Sequence, residues 1–338
     1  MKLVQTLVVR DEADIVDAQI AYHLNAGVDF VLATDNESQD GTTEILRSYE
    51  RDGHLHLIRE RGEVQESGWR TRMARLAATE FGADWVINTD ADEFWMPREG
   101  ALKEALAAVP EAFGVVWALT RQFVPRADDG RFFAERMTVR LTSAAPINDP
   151  TSLYRPSAKA AHRADPDVVV IHGGHSARAR LPLLRNWYPA DVFHFPYRTL
   201  EQYERKNARR AHGVHSLGQY VKGLHASDQG RLEEAYLALV VDDSTLARGV
   251  AAGCLVADTR LRDALRVLRG EAAASGSVRA GPEDKPAVDA AALLDANLVR
   301  FCRGVDDLRA RVATVEERAR RTRRLRRRSR STGKTAPR

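Results

Sequence analysis

One feature constrains this chain more than any other: apolar runs and helical patterns alternate along its first ninety residues. The run KLVQTLVV (2–9) is followed by Val16, Ile20, His23, Leu24 and Gly27 at helical spacing, and the pairing then repeats. Strands are expected at 2–9, 28–34, 54–58 and 84–89, with helices over about 12–26, 43–53 and 65–80 between them. Such alternation specifies a parallel, doubly wound α/β sheet. Gly27 and Gly53 stand where two of the helices should end. The polar stretch DNESQDGT (35–42) reads as a loop.

In an open sheet of this kind, ligands bind outside the carboxyl ends of the strands. Three of those ends are polar here: Arg10, Asp11 and Glu12; Asp35, Asn36, Ser38 and Asp40; and Asp90, Asp92 and Glu93. The third lies in WVINTDADEFWM (85–96), where three carboxylates follow an apolar strand within four residues. In an extended segment Asp90 and Asp92 point to one side. Two carboxylates a few ångströms apart repel by roughly 4 kcal/mol at an effective dielectric of about 20. A divalent cation reverses that sign. Oxygen ligands suit Mg²⁺ or Mn²⁺, which commonly share their ligation with substrate phosphates. The plainer alternative for the same residues is a helix cap in a solvated loop.

Composition bounds the class. The chain has 338 residues, 44% hydrophobic and 29% charged, as in an ordinary globular protein. Cys254 and Cys302 are too few for a disulfide framework or a four-cysteine zinc site, and fit free thiols in a reducing cytoplasm. The N-terminal run, broken by Gln5 and Thr6, reads as a strand rather than a leader. No run approaches the roughly 18 apolar residues needed to span a bilayer. A cytoplasmic location is expected.

The net charge of +4 is unevenly spread. Residues 318–338 hold 11 Lys and Arg and no acid, which leaves 40 bases against 47 acids, about −7, on residues 1–317. The basic excess is therefore a tail, and it gives no ground for a specific nucleic-acid partner. Near anionic headgroups each basic residue contributes about 1 kcal/mol, so the tail offers a peripheral membrane contact. A solvated, disordered tail is the alternative. RRTRRLRRR has too few apolar residues to insert as an amphipathic helix.

The second half is less regular. Helix is expected at 101–109, 200–206 and 231–241, and strand at 113–123, 136–142 and 167–174. Residues 271–288 have the composition of a linker. Residues 289–328 read as an increasingly basic helix, and the last ten as disordered. The expected division is 1–215, a helical extension 216–270, the linker, and the basic helix and tail 289–338.

The segment VVRDEADIVDAQIAYHLNAGVDFVLATDNESQDGTTEIL (8–46) contains Arg10-Asp11-Glu12, Tyr22-His23, Gly27-Val28-Asp29 and Asp35-Asn36-Glu37-Ser38-Gln39-Asp40-Gly41-Thr42. It resembles the start of a family 2-like glycosyltransferase with the GT-A fold. DWVINTDADEFW (84–95) resembles that branch's Asp-x-Asp-Glu-Phe segment. LYRPSAK (153–159), IHGGHS (171–176) and FHFPYRTLEQYERK (193–206) resemble its later elements. The resemblance covers about residues 2–210.

It implies a GT-A-type, Rossmann-like, mostly parallel sheet flanked by helices, to which the chain adds a helical C-terminal extension. It also implies transfer of a sugar, hexosyl in type, from a nucleotide-sugar donor to a hydroxyl of a polysaccharide, other glycan or lipid, with Mn²⁺ or Mg²⁺. Glu12, Asp35 and Asn36 would then lie near the nucleoside. Asp90 would face the ribose or the ion's outer shell, and Asp92 would be the direct ligand. Glu93 would lie behind them or toward the acceptor. Asp40 would cap the next helix.

A late histidine would complete the metal site, His175 foremost and His172 next, with His194 close by in sequence. Arg198 and Lys206, on a basic face shared with Arg205 and Arg209, are candidates to clamp the diphosphate; the alternative is a solvated helix face. Arg70 and Arg72 are weaker candidates. Trp69, Trp95, Trp117 and Trp187 suit core packing better than sugar stacking. Glu93, Asp149 and Asp165 are the open choices for a base. Two other functions use the same residues: a metal-dependent phosphohydrolase, and a non-catalytic binding protein on the same scaffold.

Overall fold

The structure is a computed structural model that describes residues 1–62, 65–142, 157–185, 187–210 and 231–270. Asp149, Cys302, the linker, the basic helix and the tail lie outside the described residues, as do the side chains of His172, Arg209 and Arg210.

The expected alternation forms as β1 (Leu3–Val9), α1 (Val16–Asn25), β2 (Phe30–Asp35), α2 (Thr42–Arg51), β3 (Leu55–Arg59), α3 (Glu66–Thr79) and β4 (Trp85–Asp90). The four strands lie side by side in the order β3-β2-β1-β4, all parallel. The inner three, β1, β2 and β4, are mostly apolar and almost wholly buried because both faces are covered. Alternate residues sort to the two sides. Leu3, Leu7, Val31, Ala33 and Ile87 pack with Ile20 of α1 and Leu46 of α2. Val4, Leu32 and Val86 pack with Met73, Ala74 and Ala77 of α3. Helix α1 starts at Val16, later than expected, because residues 12–15 form a turn: the Glu12 carbonyl accepts the Ile15 and Val16 N–H groups at 3.1 and 2.9 Å.

The chain continues as β5 (Glu93–Pro97), α4 (Leu102–Ala107), β6 (Val115–Gln122), α5 (Phe133–Arg136), β7 (Val139–Leu141), β8 (Ala158–Arg163) and β9 (Val169–Ile171). A 3₁₀ turn, His172–Gly174, leads to β10 (Ser176–Arg178), β11 (Ala190–His194) and α6 (Leu200–Arg210). The described C-terminal part forms α7 (Leu232–Leu237), α8 (Asp243–Ala251), β12 (Leu255–Ala257) and α9 (Arg260–Leu268).

The main sheet has eight strands in the order β3-β2-β1-β4-β8-β6-β11-β5. Strand β8 runs antiparallel between β4 and β6, β11 is parallel to β6, and β5 closes the edge antiparallel to β11. This is the mostly parallel, helix-flanked sheet expected of the sequence. Strands β5, β8 and β11 were not among the expected elements. The part of the expected helical extension that is described is not helical alone: β12 pairs with β7. Nor is it a body apart, since Leu261 and Leu265 of α9 join the core that holds Ile20 and Phe94. Among the described residues no helix is long and apolar enough to cross a membrane.

Candidate active site

Strand register brings the three polar ends together. Asp35 lies opposite Val9, and Asp90 opposite Val8. The loops after β1 and β2 are laced to each other. The Asp11 N–H donates to Ser38 Oγ at 2.9 Å, the Gln39 N–H to Asp11 Oδ1 at 2.5 Å, and the Glu12 N–H to Thr42 Oγ1 at 2.9 Å. Asp11 and Glu37 sit at φ 51° and 56°, the positive-φ non-glycine residues of the described chain. Backbone held in that region tends to cluster at functional sites.

Asp35 has no exposed surface. Its carboxylate accepts from the Ser38 N–H (3.1 Å), Ser38 Oγ (2.6 Å) and Thr43 Oγ1 (2.6 Å). Asn36, also buried, accepts from Arg10 Nη1 at 3.0 Å and donates to the Glu60 carbonyl at 3.4 Å. Both were expected to face the nucleoside. The geometry instead spends them on the loop, whose buried polar groups must find partners. Asp40 accepts from the Thr42 N–H and Oγ1 at 3.1 and 2.6 Å, beside the start of α2.

The acidic turn joining β4 to β5 divides into two parts. In the inner part, Arg70 of α3 donates through Nη2 to Asp90 Oδ1 and through Nη1 to the Thr89 carbonyl at 2.7 Å. Lys159 of β8 takes the other oxygen, with Nζ 2.6 Å from Asp90 Oδ2. The same ammonium lies 3.0 Å from Glu93 Oε2 and 2.8 Å from the Gly173 carbonyl. Glu93 Oε2 also accepts the Asp90 N–H at 3.0 Å.

Burial would raise the Asp90 pKa, but Lys159 and Arg70 hold it down at about 2. Burial would likewise discharge Lys159, but Asp90 and Glu93 raise its pKa above the usual value. For Glu93 burial wins over Lys159, and its pKa is raised. Glycine is needed in the turn that reaches Lys159: Gly174 has φ +87°, and a Cβ there would lie 2.9 Å from Asn88 Cβ.

In the outer part, Lys206 of α6 donates to Asp92 Oδ2 at 2.7 Å, and His194 Nε2 stands 3.5 Å from Oδ1. Register explains the histidine, since His194 lies opposite Glu93 across the β11–β5 pair. Against the burial that opposes it, Lys206 and His194 hold the Asp92 carboxyl well below the usual carboxylate range. Nearby, Arg198 is fully buried. It grips Asp14 through Nε and Nη2 at 2.6 and 2.9 Å, bonds Glu12 through Nη2, and donates Nη1–H to the Phe195 carbonyl at 3.0 Å. Burial raises the Glu12 pKa despite that partner.

Helix α1 serves as a substitute strand for the outer edge of β5. The Trp95 N–H donates to His23 Nε2 at 3.0 Å, and the Trp95 carbonyl accepts Tyr22 OH at 3.1 Å. The Glu93 carbonyl accepts Gln19 Nε2 at 3.3 Å. His23 Nδ1 lies 2.8 Å from the Gln19 carbonyl, so the neutral ring carries its proton on Nδ1. The Tyr22-His23 pair thus fixes the strand that begins at Glu93.

Several expected residues take other places. Arg198 positions Glu12 and Asp14, and its guanidinium is not presented as a phosphate clamp. Glu93 is 2% exposed, and its carboxylate is held by the Asp90 N–H and Lys159. Asp165 holds the N–H groups of Asp167 (2.9 Å) and Arg180 (2.6 Å), two residues past the end of β8 that pairs with the start of β4, so it lies at the opposite end of the sheet. His175 is exposed, with Nδ1 2.8 Å from the Ala158 carbonyl. His194, not His175, meets Asp92. Trp69, Trp95 and Trp187 are buried, as packing required.

Lys159 was missed as a site residue. Its sequence signal is a cation among the alanines of the buried strand AKAAHR, where a charge needs a partner. Arg70 was underrated for want of the contact with Asp90.

A divalent ion shared with a diphosphate needs only one or two protein carboxylates. Asp90 does not fit that part, because two fully buried cations take both its oxygens. Asp92 fits. Its partner Lys206 has 23% of its side chain exposed, and His194, which meets Asp92 through Nε2, has no hydrogen-bond partner at Nδ1 among the described residues. Among the described residues no three His, Cys, Asp or Glu side chains converge into a complete cage.

Residues 4–111 match the family model of glycosyltransferase family 92. That stretch holds the loops after β1 and β2 and the whole acidic turn. The match supports a glycosyltransferase; the matching model is that of family 92, not of family 2. A search of curated proteins finds no match. Among solved structures, a mycobacterial protein aligns at 15% identity and TM-score 0.28, over 36% of this chain and 41% of that one. TarS of S. aureus aligns at 15% identity and TM-score 0.33, over 80% and 53%. TarS 1–349 in complex with UDP aligns at 14% and 0.33, over 80% and 87%. The chain thus spans about half or less of the first two structures.

Proposed function

We propose that the protein moves a sugar from a nucleoside diphosphate sugar to a hydroxyl of a glycan or lipid, with Mn²⁺ or Mg²⁺ held at Asp92. The observation that carries this reading is Asp92 itself. It is an ionised carboxylate at the carboxyl edge of the sheet, inside the region matched to glycosyltransferases, with a partly exposed lysine and the His194 imidazole beside it. The ion, when bound, would serve as a Lewis acid that offsets charge on the departing diphosphate.

The chain's own residues prepare for that charge. Lys206, released from Asp92, turns its ammonium to a phosphate oxygen as a point charge. His194 places its imidazole beside the same carboxylate. Glu12 faces the nucleoside with its carboxylate aimed by Arg198. Asp90 and Glu93 keep the turn rigid, so that Asp92 is held in place before substrate arrives. The basic tail, 318–338, would bring the enzyme to anionic surfaces that carry a lipid acceptor.

The test is a thermal scan of the full chain against UDP, GDP and dTDP, each with and without Mn²⁺. The matching nucleotide at a hundredfold excess over its Kd should stabilise by about 2.7 kcal/mol. Asp92→Asn should lose the Mn²⁺-dependent part of that shift, together with donor hydrolysis. No shift with any nucleotide, with or without Mn²⁺, would refute the reading.

A further inference from the structure

The acidic turn carries two ammonium groups of opposite character. Lys206 comes from a helix, has 23% of its side chain exposed, and meets Asp92 at 2.7 Å. Lys159 comes from the centre of the sheet and its side chain is 0% exposed. A lysine ammonium has three N–H groups, and those of Lys159 have three acceptors: Asp90 Oδ2, Glu93 Oε2 and the Gly173 carbonyl, at 2.6, 3.0 and 2.8 Å. Arg70 closes the remaining oxygen of Asp90. Two carboxylates sharing a cation between them is the arrangement a metal ion would otherwise create, and here a side chain supplies that cation.

We propose that Lys159 is a built-in cation bridging Asp90 and Glu93, and that it confines any divalent ion to Asp92. The consequence is a division of labour within one acidic turn. Two carboxylates are neutralised permanently by the fold. The third is neutralised provisionally, by a lysine that can leave. An ion entering the turn finds one carboxylate whose lysine partner is partly exposed and two whose cations are fully buried. The inner half is also braced from outside, since the left-handed turn at Gly173 and Gly174 fixes the third acceptor of Lys159 and packs Gly174 against Asn88. Lys159 is therefore a positioning residue: it touches no reacting atom, but decides where an ion can sit.

What the ion does rests on the glycosyltransferase reading; where it binds does not, and the experiment uses Mn²⁺ alone, without nucleotide. Mn²⁺ affinity of the full chain would be measured by electron paramagnetic resonance and by thermal shift for wild type, Lys159→Met, and Lys159→Met combined with Glu93→Gln. Site charge governs affinity for hard cations, so Lys159→Met should bind Mn²⁺ at least about tenfold more tightly than wild type. Glu93→Gln in the same chain should remove that gain. A folded Lys159→Met with unchanged or weaker Mn²⁺ affinity overturns the proposal, as does a gain that survives Glu93→Gln undiminished.

Should Lys159→Met not fold in chelator, recovery of a cooperative melt on adding Mn²⁺ supports the proposal. Failure to recover, while the double variant folds, overturns it. Absence of a nucleotide shift in wild type would instead count against the glycosyltransferase reading and leave this result standing.

Discussion

Asp90 and Asp92 are two residues apart and look interchangeable in the sequence, yet the structure treats them oppositely. Asp90 is clamped by Arg70 and Lys159, both with 0% side-chain exposure. Asp92 is met by one partly exposed lysine and one histidine at the limit of contact. The first pair of cations comes from α3 and β8, and the second from β11 and α6. What separates a structural carboxylate from a candidate ligand here is how firmly its countercharges are held, not the Asp-x-Asp spacing.

The hardest way to break this contrast is to remove the inner clamp. Arg70→Met leaves Asp90 with half its countercharge gone and the Thr89 carbonyl without its donor. Breaking a buried pair from one side costs about 3–5 kcal/mol, and the 34% exposure of the Asp90 side chain places this pair at the lower end of that range. The expected result is a fall of that size in unfolding free energy, read from urea midpoints at constant m-value. Adding Asp90→Asn should return a large part of it, since the uncompensated charge disappears. A loss below about 1 kcal/mol for Arg70→Met would mean that the inner half is as loosely held as the outer.

The same contrast explains what the sequence could and could not tell. The run of parallel strands through β4 was legible because β1, β2 and β4 are covered on both faces, and their mostly apolar residues leave a trace. The shared edge of Glu12, Asp35 and Asp90 followed from that topology. Strands β5, β8 and β11 were not legible. β5 begins inside the acidic turn, so its first residue reads as part of a charge cluster. β8 is AKAAHR, where small residues and two cations hide a strand that pairs on both sides. The partners of each carboxylate were beyond reach for the same reason: Lys159, His194 and Lys206 lie 69, 102 and 114 residues from the aspartates they meet, and only the pairing of those hidden strands brings them near. The Tyr22-His23 motif was visible, but its use as a surrogate strand for β5 needed the edge position of β5.

The inner half can be sharpened by pH, because neutral histidines back it. His23 holds the Trp95 N–H of β5, and His162 sits three residues after Lys159 on β8; burial lowers both from 6.5 to about 4. Between those values the unfolded chain binds protons that the folded chain refuses. Stability from these groups is therefore complete above pH 6.5, declines as pH falls through that window, and is gone below about pH 4. Each shift corresponds to about 3 kcal/mol. Urea midpoints from pH 7.5 down to 4 should show this slope, and His23→Gln should flatten about half of it while its amide still accepts the Trp95 N–H. An unchanged slope in His23→Gln would show that His23 is not the neutral, strand-holding group described.

The smallest effect on stability should come from the outer half, and its smallness is informative. Lys206→Met removes a pair whose carboxylate is buried, at 5%, but whose ammonium is 23% exposed and already partly hydrated, so the loss should stay near the upper end of the surface range, about 1 kcal/mol. The melting temperature should scarcely change. Binding should respond instead, because the ammonium that turns from Asp92 to phosphate is gone: UDP affinity in Mn²⁺, or that of whichever nucleotide binds, should weaken roughly tenfold, the worth of one charge-assisted hydrogen bond of about 1.5 kcal/mol. Lys206→Arg should restore part of it, since a cation is again present but with a planar head. If Lys206→Met instead cost as much stability as Arg70→Met, Lys206 would be as fixed as Lys159. Asp92 would then lose the displaceable partner that sets it apart from Asp90, and with it the reason to place an ion there.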